Sequence, residues 1–386
     1  MPQKVSIIGA GISGLTAGIC LSKKNIPSII YERNPAISDV SAGINLSPNA
    51  TNLLQKIGVL EDLISLGHQP SNVIFRDHKG NKISSYALNR GDETFLTLNR
   101  KKLIGLLHEK YKKLGGEVIF NHNVKDFEND HIISKEKSFE ANLIFGCDGI
   151  NSSLRTKKFN SRSPKFSGFI AWRSIKEFSP PFEKNDGEDI NFYLGPNSHI
   201  VSYPIGERTH SATCIIKSSD WTEESWILEG SKGDFQYDFK DWNNELLTYL
   251  ADSKLYKWGI FQRSPLESFS TDNIFLLGDS AHAMVPFLGQ GSCLAIEDSY
   301  CLAEILDKKE FNDAKKIFDH LRLSRCRNIY KRSLRQAKLN HISNPLLTFL
   351  RNKLLSFLPL ANFMVRDIHN YDLDSEIKKL SSYLEP

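Results

Sequence analysis

The chain has 386 residues, long enough for two closely packed domains around a sizeable core. Forty per cent apolar and 24 % charged residues are ordinary for a globular protein, and a net charge of +4 is too small over this length to argue for a nucleic-acid partner. No apolar run reaches the ~18 residues of a stable membrane span, and six cysteines without a Cys-x-x-Cys or a metal spacing read as reduced core residues of a cytoplasmic protein with no metal site.

The first predicted elements form one unit. Val5–Cys20, VSIIGAGISGLTAGIC, reads as strand, tight turn and helix, with Gly9, Gly11 and Gly14 giving G-x-G-x-x-G directly after Val5, Ile7 and Ile8. In such a unit the first glycine permits the turn and the second lets backbone N–H groups approach a pyrophosphate. The third lets the helix pack on its strand, so that the anion sits on the helix N-terminus. Ser13 lies in that first helical turn. Eighteen residues past Gly14, the apolar run Ser28–Tyr31 ends in Glu32, the place of a ribose-binding acid, with Arg33 next to it. A plain glycine turn does not explain this spacing. A signal peptide is excluded because Lys23 and Lys24 follow with no small-residue cleavage site.

Next, Ser41–Leu54 places Gly43 and Ile44 in a loop leading to a helix that Ser47 caps and Pro48 opens. Val73–Leu88 alternates around His78, Lys79 and Gly80, a hairpin of a second layer. Asn99–Leu114 has helical spacing, with Arg100 at its start and Gly115 and Gly116 stopping it. Val118–Phe145 reads as an antiparallel meander ending in the buried strand Ala141–Phe145, which runs into Gly146, Cys147, Asp148 and Gly149. Phe166–Lys217 is strand-like throughout apart from a polar loop over Ser179–Asp189, Trp242–Leu250 is helical, and Trp258–Gln262 is a strand. Asn273–Leu277 is again a buried strand, ending in Gly278 and Asp279, and Gly291–Leu306 is a helix. The apolar tail Leu346–Val365, broken by Arg351, Lys353 and Pro359, is expected to cover the core rather than touch a membrane.

This order predicts an α/β protein: a Rossmann-like dinucleotide domain (1–70, 98–160 and 265–320) interrupted by a mostly antiparallel β-sheet substrate domain (71–97 and 161–264), with a C-terminal helical segment (321–386). Asp148-Gly149 and Gly278-Asp279 stand at strand ends like the first fingerprint. The second is followed by His282, Pro286, Gly289-Gln290-Gly291 and Glu297-Asp298, a loop of small residues before a helix N-terminus that can hold flat ring edges and stabilise negative charge on them.

On these residues the chain resembles the single-component FAD-dependent aromatic hydroxylases, group A flavoprotein monooxygenases of the salicylate and 3-hydroxybenzoate hydroxylase type. Gly9, Gly11 and Gly14 match the family's glycine motif, Cys147–Arg155 its DG segment, and Gly278–Gly291 its GD segment. Ala42-Gly43-Ile44, Pro48-Asn49-Ala50, Asn99-Arg100 and Ala171-Trp172-Arg173 extend the likeness over nearly the whole chain. One departure is Ser174, where many relatives carry glycine after the Trp-Arg pair.

The resemblance implies non-covalent FAD, with Glu32 on the adenosine ribose, Arg100 beside the pyrophosphate region and Asp279 on the ribityl chain and pyrophosphate. Asp148 would serve both FAD and NADH or NADPH; with a single glycine motif, the second nucleotide visits only transiently. It also implies the reaction, in which reduced FAD and O2 give a C4a-hydroperoxide that hydroxylates a phenolic aromatic acid. His199 and Tyr203 match substrate-side positions and are the expected catalytic pair; an i, i+4 spacing on a strand points both side chains the same way. His282 is expected to make a structural hydrogen bond beside Asp279. The protein is expected to be a monomer or homodimer; alternative readings on the same scaffold are an epoxidase or hydroxylase of isoprenoid or polycyclic substrates and a non-catalytic flavin-binding protein.

Overall fold

The computed structural model describes residues 4–88, 91, 93–128, 131–134, 137–177, 186–219, 221, 228–357 and 360–383. Strand β1 (Val5–Ile8) is wholly buried and passes through the glycine turn into α1 (Ile12–Lys23), buried from Ser13 to Leu21. A helix apolar on nearly every side has to lie inside. β2 (Ser28–Tyr31) returns parallel to β1. β3 (Gly43–Leu46) then leads into α2 (Pro48–Lys56) and α3 (Leu60–Ile64). Ser47 does occupy the N-cap position of α2, but its hydroxyl donates to Asn49 Oδ1 at 2.6 Å instead of capping.

The hairpin β4 (Asn72–Asp77) and β5 (Lys82–Ala87) is followed by β6 (Leu96–Asn99) and α4 (Arg100–Lys113). The Asn99 side chain caps α4 by accepting from the Lys101 N–H. Gly43 and Ile44 are therefore not in a loop: β3 pairs antiparallel with β6, Gly43 opposite Asn99 and Ile44 opposite Leu98, which fixes this segment against the start of α4. β7 (Glu117–Ile119) follows, then β8 (Val124–Glu128), β9 (His131–Ser134), β10 (Lys137–Glu140) and β11 (Leu143–Gly146). Only β8, β9 and β10 form the meander. β7 pairs parallel with β2, because α4 is long enough to carry the chain back across the sheet.

After α5 (Ser153–Lys158) come β12 (Lys165–Glu177), β13 (Ile190–Gly195), β14 (Ser198–Pro204) and β15 (Thr209–Lys217), then α6 (Lys232–Asp238), α7 (Asn244–Ala251) and β16 (Leu255–Gln262). Most of the expected polar loop, 179–185, lies outside the described residues. Ser174 sits inside β12, not at a turn, its hydroxyl 2.6 Å from that of Ser253. The chain ends with β17 (Ser270–Thr271), β18 (Ile274–Leu276), α8 (Asp279–His282), α9 (Gly291–Leu306), α10 (Phe311–Asn340), α11 (Pro345–Phe357), α12 (Leu360–His369) and α13 (Leu373–Tyr383).

Two sheets carry the architecture. The first has the order β17-β18-β11-β1-β2-β7 and is parallel except for β17; the second, β16-β12-β15-β14-β13-β4-β5, is antiparallel except where β4 meets β13. α6, α7 and the link between them cover one face of the second sheet, packing Phe235, Phe239 and Trp242 on Trp172, Tyr193 and Ile200. Its other face turns to the first sheet's layer, where Ala171, Ile215 and Trp258 meet Val285, Phe287 and Ala337.

The tail corrects one expectation. Ile317, Phe318 and Ile329 of α10 and Ile377 of α13 enter the main core, but α11 does not bury its apolar face. Leu346, Leu350, Leu354 and Phe357 are exposed, while Arg351 is buried. The carbonyls that close α10 need donors, and Arg351 supplies them at the Leu339 and Asn340 oxygens, which turns the polar side of α11 inward. Among the described residues no helix is long and apolar enough to cross a membrane.

Candidate functional site

Four neighbouring parallel strands end on the same edge of the first sheet, and each carries one of the motifs. β2 ends in Glu32, β1 in Gly9, β11 in Cys147-Asp148-Gly149, and β18 runs through Leu277 to Gly278-Asp279. β1 is flanked by β2 on one side and β11 on the other, so the chain moves both ways from it. The crevice outside the carboxyl ends at such a reversal is where open α/β sheets bind ligands.

The glycines here have distinct duties. Gly9 adopts φ +107°, and a β-carbon on it would overlap the Cys147 carbonyl; one on Gly14 would overlap the Gly9 carbonyl. Gly11 is different. Its backbone is extended and its missing β-carbon points into open space at the N-terminus of α1, where a diphosphate could approach the helix. Ser13 is buried, its hydroxyl within 3.5 Å of that of Ser299 on α9, so it joins the two helices rather than lining the opening.

Glu32 is buried and held: Oε2 accepts from Ala10 N at 2.8 Å, and Oε1 from Asn34 N and Nδ2 at 2.9 and 2.7 Å. A carboxylate has about four acceptor positions, so capacity remains for a ribose hydroxyl. Arg33 is exposed beside it. Asp148 receives Ser153 N on Oδ2 at 3.0 Å, but its Oδ1 is buried and meets no donor among the described residues. Burial raises the carboxyl pKa above the usual range, and Gly149 turns beside it with φ +77°.

Asp279 is surrounded closely enough for burial to raise its pKa, against the pull of His282 and Arg100, yet its side chain faces open space. That combination describes a cleft wall. Arg100 lies near enough for Asp279 to act on its charge, although burial lowers its pKa overall; Nη1 donates to Ser38 Oγ at 3.2 Å. Pro286 is exposed, and its carbonyl accepts from Gly289 N at 3.0 Å in the turn that precedes α9. Gly289, at φ +63°, lies against Asn45, and the missing β-carbon of Gly291 again points into open space. Gln290 behaves otherwise than a cleft residue. Its side chain is buried, donating to Ser47 Oγ at 2.9 Å and accepting from Asn49 Nδ2 at 3.2 Å, which leaves only its backbone for a ligand. The open positions at Gly11 and Gly291, the unpartnered Asp148 oxygen and the cleft-facing Asp279 fit an elongated dinucleotide carrying a flat ring system.

The second sheet closes over this cleft at Gly43. Its N–H donates to Ser211 Oγ at 3.2 Å, and a β-carbon on Gly43 would overlap Ser211 and press on the Tyr203 ring. Gly43 thus brings β3 against β14 and β15, while Ile44 packs on the main core. Tyr203 and His199 share that face, as their spacing requires, but their surroundings differ. Tyr203 is 8 % exposed, makes no hydrogen bond among the described residues, and has its pKa raised by burial. His199 is 1 % exposed, stacked on Phe192 at 5.1 Å and tilted against Phe287 at 5.4 Å.

The tautomer of His199 follows from its partner. His341 Nδ1 lies 2.8 Å from the Ala337 carbonyl and must donate to it, so His341 Nε2 is an acceptor. His199 Nδ1, 2.9 Å from that atom, is then the donor, leaving His199 Nε2 as its unprotonated nitrogen. Burial and the neighbouring His341 hold the His199 pKa well below 6.5, and burial lowers His341 to about 4. His341, 142 residues from His199, was not suggested by any local pattern.

Burial also lowers His210 and His369 to about 4. These four histidines fold neutral but have pKa values near 6.5 when unfolded. The unfolded chain therefore takes up protons first, and stability is expected to fall as pH drops from about 6.5 to about 4, where the native pKa values are reached. Urea midpoints measured between pH 7 and 4 check this; a flat profile contradicts the neutral packing of the four rings.

A further cluster carries no ligand role in the sequence reading. His282 does make a structural hydrogen bond, but to Asp298 Oδ2 at 2.6 Å rather than to Asp279. Asp298 also accepts from Gly278 N at 2.8 Å and from Arg322 Nε at 2.7 Å. Glu297 accepts from Arg322 Nη1, Arg325 Nη2 and Asn49 Nδ2 at 2.7, 2.8 and 2.6 Å. Burial alone would raise the Asp298 pKa; His282 and Arg322 outweigh it and hold the carboxyl at about 2. His282, Asp298 and Cys326 come within 4.8 Å of one another, but the guanidinium of Arg322 already serves as the cation there. The signal for it was an arginine on the buried stripe Phe318, Cys326 and Ile329 of α10.

Comparisons with known proteins agree with this geometry. A 3-amino-4-hydroxybenzoate 2-monooxygenase of Streptomyces platensis is 28 % identical over 357 residues, covering 88 % of this chain and 89 % of the relative. The 3-hydroxybenzoate 6-hydroxylase 1 of Aquipseudomonas alcaligenes is 28 % identical over 378 residues, covering 94 % and 96 %. Among solved structures, a salicylate hydroxylase substrate complex superposes with a TM-score of 0.82 at 22 % identity, covering 98 % of this chain and 97 % of the other. HpxO of Klebsiella pneumoniae, complexed with FAD and uric acid, gives 0.81 at 20 % identity over 97 % of each. At these identities the solved structures establish the fold. A family profile described as FAD binding domain matches residues 3–318, most of the chain. With the four strand-end motifs converging on one cleft, the chain belongs to the FAD binding domain family, in its flavoprotein monooxygenase branch, and its cofactor is FAD.

Proposed function

We propose that the protein uses NADH or NADPH and O2 to hydroxylate a phenolic aromatic acid of the salicylate or hydroxybenzoate type, acting in the cytoplasm. The observation that carries the reading is the contact of Gly43 with Ser211 and Tyr203. It brings strand β3, beside the FAD cleft, against the sheet face bearing Tyr203 and His199. The two relatives quoted above, by their names, act on rings bearing both a hydroxyl and a carboxylate, which supports the substrate class. Residues 1–70, 98–160 and 265–320 are assigned to FAD, 71–97 and 161–264 to the substrate, and 321–386 to the supporting helical segment.

Bound FAD supplies reduction by the nicotinamide and activation of O2 for transfer to an electron-rich ring. The remaining work falls to the chain. Glu32 would hold the ribose, the N-terminus of α1 at Gly11 would receive the pyrophosphate, and Asp279 and Arg100 would bind the middle of the cofactor. The backbone of Gly289, Gln290 and Gly291 would offer polar groups to its ring system. On the substrate side, neutral His199 accepts a hydrogen bond at Nε2 from the substrate hydroxyl and raises ring electron density, and the Tyr203 hydroxyl helps orient the ring.

His199→Phe tests this reading while keeping an aromatic ring against Phe192. The variant is expected to retain FAD and NADH oxidation but to lose about 10²-fold in product formed, with H2O2 replacing product. Because His199 stays neutral, product per NADH in the wild type is expected to show no inflection near pH 6.5. An unchanged product yield in the variant would return His199 to a packing role.

A further inference from the structure

α11 is built with its polarity reversed. Thr348, Arg351, Asn352 and Leu355 fall on one side of the helix at 100° per residue, and that side faces the protein. Leu355 packs on the cluster of Val73, Phe75 and Tyr203, and Arg351 donates through Nη1 to the carbonyls of Leu339 and Asn340. The opposite arc carries Leu346, Leu347, Phe349, Leu350, Leu354 and Phe357, all 47 to 77 % exposed. Single exposed leucines are ordinary, but six large apolar side chains on one arc of a 13-residue helix form a continuous patch that needs a covering partner.

Charge decides between the partners. Lys353 lies in the middle of the apolar arc, its ammonium 5.8 Å from the ring centres of both Phe349 and Phe357. From 331 to 366 the sequence contains seven basic residues and no Asp or Glu. Of these, Lys331, Arg335, Lys338, Lys353 and Arg366 are exposed. A second copy packed on this arc would bring a Lys353 from each chain into one apolar interface, with no acidic residue of α11 to pair with either, a repulsive arrangement. An anionic bilayer surface fits both features. Leucine and phenylalanine side chains enter the acyl boundary, Lys353 extends along the rings to the lipid phosphates, and the exposed basic residues of the segment add long-range attraction to an anionic surface.

We propose that α11 is an interfacial docking helix that seats the protein on an anionic lipid bilayer without crossing it. This holds whatever the aromatic substrate is, since the arc that meets the bilayer is the side of α11 turned away from the protein.

The test is co-sedimentation of the FAD-loaded full chain with vesicles of phosphatidylcholine alone and with about one-quarter phosphatidylglycerol. The protein is expected to pellet with the anionic vesicles and largely to remain in solution with the neutral ones. About 0.5 M salt is expected to release part of it. The double variant Leu350→Asp with Leu354→Asp should reduce partitioning about tenfold or more while retaining FAD absorbance and the thermal midpoint, because both side chains are exposed. Lys353→Gln should weaken binding less and reduce its salt dependence. Failure to pellet with either vesicle overturns the proposal. So does binding that the double variant leaves unchanged. A dimer in sedimentation velocity that the double variant converts to monomer, with no vesicle binding, would identify the arc as a subunit interface instead.

Discussion

Gly11→Val is expected to purify folded and colourless, whereas Gly14→Val is expected not to fold stably at all. The two glycines are three residues apart in one motif, and the difference follows from what surrounds each. The backbone at Gly11, φ −83° and ψ −171°, is one that valine adopts without strain, and nothing lies within 4 Å of the position its β-carbon would take. Its isopropyl group would instead fill the space over the N-terminus of α1. At Gly14 the same atom would overlap the Gly9 carbonyl in the turn that joins β1 to α1. FAD affinity in Gly11→Val is expected to fall by on the order of a hundredfold, about 3 kcal/mol, since a bulky group blocks the closest approach of the diphosphate. Circular dichroism and the flavin absorbance of the purified protein separate the outcomes. A fully yellow Gly11→Val would remove the diphosphate from this helix. Asp279→Ala, from the far end of the chain, should lose flavin as well, because its carboxylate faces the same cleft.

The strand-end placement of the candidate cofactor residues was legible because each of its signals is local. Glu32, Gly9, Asp148 and Asp279 all stand within three residues of the end of a buried strand, and strand ends can be read from apolar runs and glycines. What the residues do with their side chains was less legible. Gln290 stands inside the motif, yet its amide is taken by Ser47 and Asn49, over 240 residues away, and no periodicity reports such a partner. The spacing of His199 and Tyr203 correctly put them on one face of β14; it did not reveal that His341 would hold His199 in one tautomer. The amphipathic period of α11 was likewise plain, but a period does not say which side faces inward. The need of α10 for donors at its last carbonyls settles that, through Arg351.

Arg322→Ala is expected to destabilise the protein by about 3–5 kcal/mol, a large part of a typical total stability of roughly 5–15 kcal/mol. Arg322, Glu297 and Asp298 have no exposed side-chain surface, and the guanidinium reaches both carboxylates, Nη1 to Glu297 and Nε to Asp298, at 2.7 Å. Removing it strands two carboxylates in the core with only Arg325 and His282 to compensate. The damage should extend to the cofactor. Asp298 holds the Gly278 N–H immediately before Asp279, and Glu297 holds Asn49, which in turn holds Gln290. Arg322→Lys should recover only part of the loss, because a compact ammonium cannot reproduce a planar fork across two carboxylates. The pH dependence identifies the cause. In the wild type the depressed Asp298 contributes stability that is complete above its unfolded pKa near 3.8 and lost as pH falls through about 2. In Arg322→Ala the stranded carboxylates take up protons at higher pH and are cheaper to bury when neutral, so the stability gap to wild type should narrow between pH 7 and 4. Urea unfolding across that range measures the gap. A gap independent of pH would mean that Arg322 acts by filling space rather than by neutralising buried charge.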